Sequence, residues 1–242
     1  RRRHTRSSLV SWARARLWMN DTEGAMRYAK MVIEAKGEDG TAVFTLATAD
    51  NYVDRTFYPE HLCSINQDNF DYQQTGFANS QNLNSYNNRN YSTFVSDLFD
   101  GNVNDLRLKQ QWSYLRSYTG QYVRITRKYD DMYPSNSSAA RNMPLVRLAE
   151  MYLILMEVGT LEEANVAYET LCAARGVDYV ALTENDWTDR VLMEWIRELI
   201  AEGQNFYTYK RFAVKRMLWQ DAETADCGEE QYVLPLPPSE RR

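Results

Sequence analysis

Apolar residues recur at helical spacing at both ends of the chain, and this pattern limits the fold more than any other feature. Near the N-terminus two series are joined by the polar turn Asn20-Asp21-Thr22. The first series is Leu9, Trp12, Ala13 and Leu17, and the second is Ala25, Met26, Ala29, Val32 and Ile33. Residues three and four apart share one face of a helix. With Asp21 or Thr22 as N-cap and Gly37 as the stop, residues 7–36 are predicted to form a helical hairpin.

A second group of helices is predicted toward the C-terminus. A strongly apolar helix is expected over 143–158, because Pro144 is favoured at the first helical position. Two more amphipathic helices are predicted over 161–174, ending before Gly176, and over 187–201. Each helical pair is close in length to one tetratricopeptide repeat. The sequence therefore predicts a mainly α fold built from tetratricopeptide-like helical hairpins.

Between the helical ends, residues 41–140 lack sustained periodicity and are predicted to form a long irregular insertion. Residues 66–92 contain 12 Asn or Gln in 27 positions, interleaved with tyrosine and phenylalanine. Short strands are predicted at 43–46 and 122–125, where β-branched and aromatic residues cluster. A long irregular segment inside a compact domain is usually functional or disordered, and the aromatic residues favour function here.

Composition excludes several classes of function. A formal net charge of -5 and an isoelectric point near 5.2 argue against broad attraction to nucleic acid. Cys63, Cys172 and Cys227 lie far apart, and only His4 and His61 could join them as metal ligands, so no metal site is predicted. No phosphate-binding glycine motif occurs, so no nucleotide cofactor is predicted.

Three stretches, taken in their order along the chain, resemble one family of bacterial surface proteins. They are MPLVRLAEMYLILME at 143–157, RELIAEGQNFY at 197–207 followed by Arg211-Phe212, and YVLPLPPSE at 232–240. Weaker matches are residues 25–33 and an acidic and arginine element, Asp97-Leu98 with Asp105-Leu106-Arg107-Leu108. The ordered set resembles the SusD/RagB family of nutrient-binding proteins over nearly the whole chain.

The resemblance implies one non-catalytic domain over 1–242. Its parts would be the hairpin at 7–36, a variable ligand-facing insertion at 41–140, and a helical scaffold with a proline-rich strap at 143–240. It also implies capture of oligosaccharides, or of peptides in some members, at the extracellular face of the bacterial outer membrane. The implied partner is a SusC-like TonB-dependent transporter. Family members carry a longer N-terminal portion with a lipidated cysteine and usually extend past the Leu-Pro-Leu-Pro element. We therefore expect this chain to be truncated at both ends or to be a reduced variant.

Charged residues inside the apolar segments are expected to fix helix packing rather than touch a ligand. Arg147 and Glu150 lie three residues apart, within pairing reach on one helix, and a buried pair is expected. His61 has no nearby pattern of a known nucleophile motif, so a general-base role is poorly supported.

Glu198 and Glu202 lie four residues apart and could be read as the carboxylate pair of a glycoside hydrolase. We expect Arg197, Lys210 and Arg211, which are near them in sequence, to compensate their charge. The resemblance also implies that this element belongs to the scaffold. Catalysis is therefore not the favoured interpretation.

Ligand binding is predicted in the aromatic and amide-rich part of the chain. Sugars present C–H faces that stack on aromatic rings and hydroxyls that pair with planar amides. The predicted ligand-binding residues are Tyr72, Tyr86, Asn88, Tyr91, Trp112, Tyr114 and Tyr118.

Two other functions remain open. The chain could be a peptide-binding member of the same family, because Asn and Gln also pair with backbone amides. It could instead be a tetratricopeptide-like adaptor that binds a protein helix in a groove lined by residues 8–33.

Overall fold

The structure, a computed structural model, describes residues 2–52, 54–66, 91–116, 122–129, 142–218 and 224–233. Within these ranges the helices are α1 (Arg2–Trp18), α2 (Thr22–Ile33), α3 (Tyr91–Phe99), α4 (Leu106–Gln111), α5 (Leu148–Val158), α6 (Leu161–Arg175), α7 (Trp187–Leu199) and α8 (Asn205–Arg211). The strands are β1 (His61–Asn66), β2 (Trp112–Arg116), β3 (Tyr122–Thr126) and β4 (Asn142–Arg147). The predicted mainly α fold class is confirmed.

Helices α1 and α2 form the predicted N-terminal hairpin. The Asp21 side chain accepts a hydrogen bond from the Gly24 backbone N–H at 2.9 Å and caps α2, as the sequence indicated. Small alanines on the buried faces of both helices allow their backbones to approach closely. Helix α2 ends at Ile33 with Glu34 as its C-cap, so the predicted stop at Gly37 is too late.

Helix α5 lies at the centre of the fold and contacts α1, α2, α6 and α7. All of its residues from 148 to 156 are buried except Tyr152. A helix that is apolar on nearly every side is typical of a core position.

Helix α6 is capped at both ends, and its stop at Gly176 is the one that the sequence predicts. Thr160 and Glu163 form a reciprocal capping box at the start of the helix. Gly176 ends the helix in the left-handed conformation, with φ 65°.

The segment just before α5 differs from its prediction. Residues 142–147 form β4, which pairs antiparallel with β1, and Pro144 lies opposite Ser64. Each strand of a two-stranded sheet has one unpaired edge, where the missing N–H of proline is tolerated. Arg147 is still extended, at φ -117° and ψ 159°, and α5 begins only at Leu148. The prediction that Pro144 begins the helix is therefore wrong.

Residues 41–140 contain more regular structure than predicted. Helices α3 and α4 lie in this range, and β2 pairs antiparallel with β3. The predicted strand at 122–125 is confirmed as part of β3. The one predicted at 43–46 is not formed, and only an isolated bridge between Lys36 and Ala42 occurs nearby. The polar composition of the surrounding insertion hid the apolar face of α3, where Phe94 and Leu98 are fully buried.

Two large hydrophobic clusters, with a small third one of Ala47, Phe57 and Leu106, form the core of the described residues. The first gathers apolar residues of α1, α2, α5 and α6, and the second gathers those of α3, α4 and α8. Helix α7 serves both clusters, since Val191, Trp195 and Leu199 lie in the first and Ile196 lies in the second. Among the described helices, none is both long enough and apolar enough to cross a membrane.

Candidate functional site

A network of buried charged side chains lies at the centre of the described structure. Its acidic members are Glu60, Asp105, Glu194, Glu198 and Glu202, and its basic members are Arg107, Lys128, Arg147, Arg175 and Arg197. Each side chain is at most 5% exposed. Five acids face five bases, so the network is balanced in charge and avoids an isolated buried ion.

Arg147 joins three of the carboxylates. Its Nη1 donates to Glu60 at 2.9 Å and to Glu198 at 2.7 Å, and its Nη2 donates to Glu202 at 2.7 Å. The predicted partner, Glu150, instead accepts two hydrogen bonds from Arg14. The predicted Arg147–Glu150 pair is therefore wrong. Arg147 lies outside α5 in an extended conformation, so the helical i, i+3 spacing does not apply to it.

Glu198 is surrounded by three guanidinium groups. It accepts hydrogen bonds from Arg147 and Arg175 at 2.7 Å each and from Arg107 at 3.2 Å. Burial alone would raise the pKa of Glu198, but these cations hold the pKa well below its usual range. A carboxylate that is enclosed and held ionised by three cations is poorly placed to exchange protons with a ligand, so this geometry does not suit an acid–base catalyst.

Glu202 is neutralised in the same way. Its partners are Arg147 and Lys128, whose Nζ lies 2.5 Å from Glu202 Oε1. Burial would raise the pKa of Glu202, but the two cations lower it.

The residues that compensate Glu198 and Glu202 differ from those expected. Arg197 pairs with Glu194 and with Asp100, and Arg211 pairs with Glu157 at 2.6 Å. Lys210 makes no ion pair with any residue that the structure describes. The expected scaffold role of the two glutamates nevertheless agrees with their burial.

The weak acidic and arginine element of the sequence also joins this network. Arg107 on α4 binds Asp105, the N-cap of that helix, and donates to Glu194 at 2.7 Å. Arg197 donates to the Leu98 carbonyl oxygen. These contacts attach α3 and α4 to α7. Glu60, Lys128 and Arg175 were not predicted as members of such a network. One signal for buried basic partners was the series Glu194, Glu198 and Glu202, which recurs at four-residue intervals.

The predicted ligand-binding residues are only partly placed. Tyr72, Tyr86, Asn88 and Tyr118 lie outside the described residues. Tyr91 and Tyr114 are placed by their backbones alone, at the start of α3 and in the middle of β2.

Trp112 is the one member of this predicted set whose side chain is described. It is 8% exposed and lies in the second hydrophobic cluster, with its ring 4.8 Å from that of Phe94. Such burial leaves little ring surface for a sugar. The ligand role of these residues stays a prediction.

A pocket of about 480 Å³, the aromatic pocket, lies between the C-terminal end of α1, helix α8 and the turn at 229–232. Its aromatic wall consists of Trp18, Phe206, Tyr207 and Tyr232. The Trp18 and Tyr207 ring centroids are 5.8 Å apart and perpendicular, and Phe206 bridges Tyr207 and Tyr232. Trp18 is 41% exposed and Tyr207 is 49% exposed, so both side chains are open to solvent at the pocket.

Polar groups line the rest of the aromatic pocket. Arg14 is held by Glu150, which accepts from its Nε at 2.7 Å, and by the Leu145 carbonyl oxygen. Gln204 and Lys210 place an amide and an ammonium group at the same pocket. Burial lowers the pKa of Arg14, but the Glu150 carboxylate more than offsets this, and the pKa is raised.

The aromatic pocket was not predicted from the sequence, although one sequence signal for it was present. Three aromatic residues, Phe206, Tyr207 and Tyr209, lie within four positions of the short helix α8. They cannot all face one core because one helical face repeats every three to four residues. Tyr209 is buried, while Phe206 and Tyr207 are exposed.

A second concavity of about 360 Å³ lies between α2, α5 and α6. Ile33, Leu155 and Val166 contribute its apolar surface, and a Lys30–Glu163 pair lies at the same concavity. One wall of this groove is helix α2 of the N-terminal hairpin. Within the described ranges no group of three or more His, Cys, Asp or Glu side chains is arranged to hold a metal ion.

Comparison with known proteins identifies the fold. No protein-family model matches the chain, and no curated protein matches its sequence. Among solved structures, a SusD superfamily protein from Bacteroides vulgatus matches with a TM-score of 0.66 and 20% identity, over 96% of this chain and 56% of its own. The chain has a SusD-like fold.

Two further structures agree with this fold. A SusD superfamily protein from Bacteroides thetaiotaomicron matches with a TM-score of 0.60 and 20% identity, over 84% of this chain and 48% of its own. A SusD-like carbohydrate-binding protein from Bacteroides vulgatus matches with a TM-score of 0.57 and 18% identity, over 87% and 45%. The chain thus spans about half the length of these SusD-like structures. The SusD/RagB resemblance drawn from the sequence motifs is confirmed at the level of the fold.

Proposed function

We propose that this chain is the ligand-binding part of a non-catalytic protein that captures oligosaccharides at the bacterial cell surface. The observation that carries the proposal is a pocket of four aromatic rings on a SusD-like fold. One of the similar solved structures is itself a SusD-like carbohydrate-binding protein.

The aromatic pocket has the chemistry that sugar recognition requires. The C–H faces of a sugar pack on aromatic rings, and its hydroxyls pair with planar donors and acceptors such as the amide of Gln204. A volume of about 480 Å³ lies within the range of about 300–1,000 Å³ usual for small-molecule sites. The pocket therefore fits a short stretch of a glycan chain.

Capture without chemistry is supported by the state of the buried carboxylates. Glu198 and Glu202, the pair that could suggest a glycoside hydrolase, are enclosed and neutralised by arginine and lysine. Neither has the exposure or the raised pKa of a general acid.

The cellular setting follows from the same resemblance. The proposed partner is a SusC-like TonB-dependent transporter of the outer membrane, into which the captured oligosaccharide would be delivered.

Calorimetric titration with pools of oligosaccharides tests the proposal. We expect measurable binding that Trp18→Ala weakens by up to about tenfold, because one stacking ring contributes about 0.5–1.5 kcal/mol. Trp12→Ala is the matched control, since Trp12 lies on the same helix and is 49% exposed but does not line the pocket. Tyr86→Ala tests the predicted contribution of the amide-rich insertion. Absence of binding to every glycan pool would refute the proposal, and binding to a peptide pool alone would favour the peptide alternative.

A second candidate function is supported by the groove between α2, α5 and α6. This groove lies along α2 of the N-terminal hairpin, where an adaptor would bind a partner helix, and its lining is partly apolar and partly charged. A Val166→Asp variant should abolish binding to such a partner and leave glycan binding unchanged, because Val166 is 62% exposed and lies in this groove.

A further inference from the structure

We infer that the aromatic pocket selects saccharides that carry an anionic group, either a carboxylate or a sulfate. This inference rests on the proposed function and adds to it the class of sugar. It starts from the charged residues at the pocket, which are Arg14 and Lys210. None of the described residues that line it is acidic, although acidic residues outnumber basic ones in the whole chain, 33 to 28.

Lys210 is the stronger of the two cationic determinants. It lies on α8, three residues after Tyr207, so its side chain and the tyrosine ring share one side of the helix. It is exposed and forms no ion pair with any described residue. An ammonium group beside an aromatic ring can therefore meet a ligand anion without first leaving a protein partner.

Arg14 contributes through one remaining donor group. Its Nε and Nη2 are occupied by Glu150 and by the Leu145 carbonyl oxygen. Its Nη1 makes no hydrogen bond to any residue in the described ranges, and the side chain is 26% exposed. The bond to Glu150 holds the guanidinium in place, so Nη1 is preorganised as a donor at the pocket.

A neutral polar group completes the arrangement. The Gln204 side chain forms no hydrogen bond within the described ranges and can bind a sugar hydroxyl beside the anionic group. Aromatic rings for the sugar face, an amide for the hydroxyls, and the Lys210 ammonium with the remaining Arg14 donor for the anionic group thus converge on one pocket. A neutral glycan would use only part of this set.

The test compares two forms of one sugar chain. Oligogalacturonate carries a carboxylate on each ring, and its methyl ester has the same ring without the charge. We expect calorimetry to show that the free acid binds roughly five to ten times more tightly than the ester. This preference should shrink between about 50 and about 300 mM NaCl, because salt screens exposed charges. Sulfated and neutral galactan oligosaccharides form the second pair of probes and distinguish sulfate from carboxylate recognition.

Two variants locate the effect. Lys210→Gln should remove most of the preference for the acid while leaving ester binding unchanged, and Tyr207→Ala should weaken both forms. Lys215→Gln is the matched control, since Lys215 is an exposed lysine that does not line the pocket.

The possible outcomes separate the inference from the proposed function. Equal binding of acid and ester together with equal binding of sulfated and neutral galactan, with sensitivity to Tyr207→Ala, would overturn the anionic preference and leave glycan capture standing. A preference that survives Lys210→Gln would also overturn the inference. If none of the saccharides binds, the proposed function itself fails.

Discussion

Replacing Glu198 by glutamine tests whether the buried charge network holds the fold together. The substitution keeps the shape of the side chain and removes one negative charge, so four buried carboxylates would face five buried cations. At least one of the hydrogen bonds from Arg147, Arg175 and Arg107 would then be lost, because the new amide group is itself a donor. Removing one partner of a buried ion pair costs about 3–5 kcal/mol.

This loss is large compared with the total free energy of unfolding, which is about 5–15 kcal/mol for a folded domain. With a urea dependence of about 2–3 kcal/mol/M, the midpoint of unfolding should fall by about 1–2 M. Urea titration followed by circular dichroism measures the shift. Asp226→Asn is the control, since its pair with Arg216 is 56% and 43% exposed and should contribute no more than about 1 kcal/mol.

The effect should also depend on pH. The pKa of Glu198 is held well below the value of about 4.3 expected in the unfolded chain. Its contribution is therefore fully present above about pH 4.3 and is lost as the pH falls through the lower, folded pKa. The difference between wild type and variant should narrow in acid. A Glu198→Gln protein whose free energy of unfolding at pH 7 is within about 1 kcal/mol of wild type would refute this account of the network.

Two further predictions concern stability. Burial lowers the pKa of His61 to about 4, so the free energy of unfolding should rise with pH from about 4 to about 6.5, where the unfolded chain loses its extra proton. In urea titrations over this range, His61→Gln should flatten the rise. An unchanged slope in the variant would contradict the prediction. Gly176→Ala should lower the free energy of unfolding by about 1–2 kcal/mol, because Gly176 has φ 65° at the end of α6, a conformation that alanine disfavours. Gly176→Asn should lower it less, because asparagine tolerates this conformation better. Equal losses for the two variants in thermal or urea unfolding would contradict this explanation.

The sequence predicted most of the helical structure because helix signals are local. The apolar series of the N-terminal hairpin, the Asp21 cap and the Gly176 stop each act within a few residues, and the structure agrees with them. The segment at 142–147 was read wrongly as helix. Its strand conformation depends on pairing with β1, about 80 residues earlier in the chain, which no local pattern reveals.

For the charged residues, too, local sequence predicted one property, burial, but not the long-range partners. Their presence in apolar segments indicated buried and paired side chains, and this was right for Arg147, Glu150, Glu198 and Glu202. The identity of the partners was wrong, because Arg147 finds Glu60 rather than Glu150 and Glu198 finds Arg175 rather than its sequence neighbours. Residues that are close in sequence are often not close in space once the helices have packed.

By itself, the sequence determined the mainly α architecture, the positions of most helices and the resemblance to SusD/RagB proteins. Only the tertiary structure decided which ions neutralise one another and where aromatic rings meet in a pocket. Helical periodicity and caps are set by contacts three or four residues apart. The aromatic pocket instead joins Trp18 to Tyr207 and Tyr232, about 190 or more residues away, and such contacts exist only after α1 and α8 have packed onto the same core.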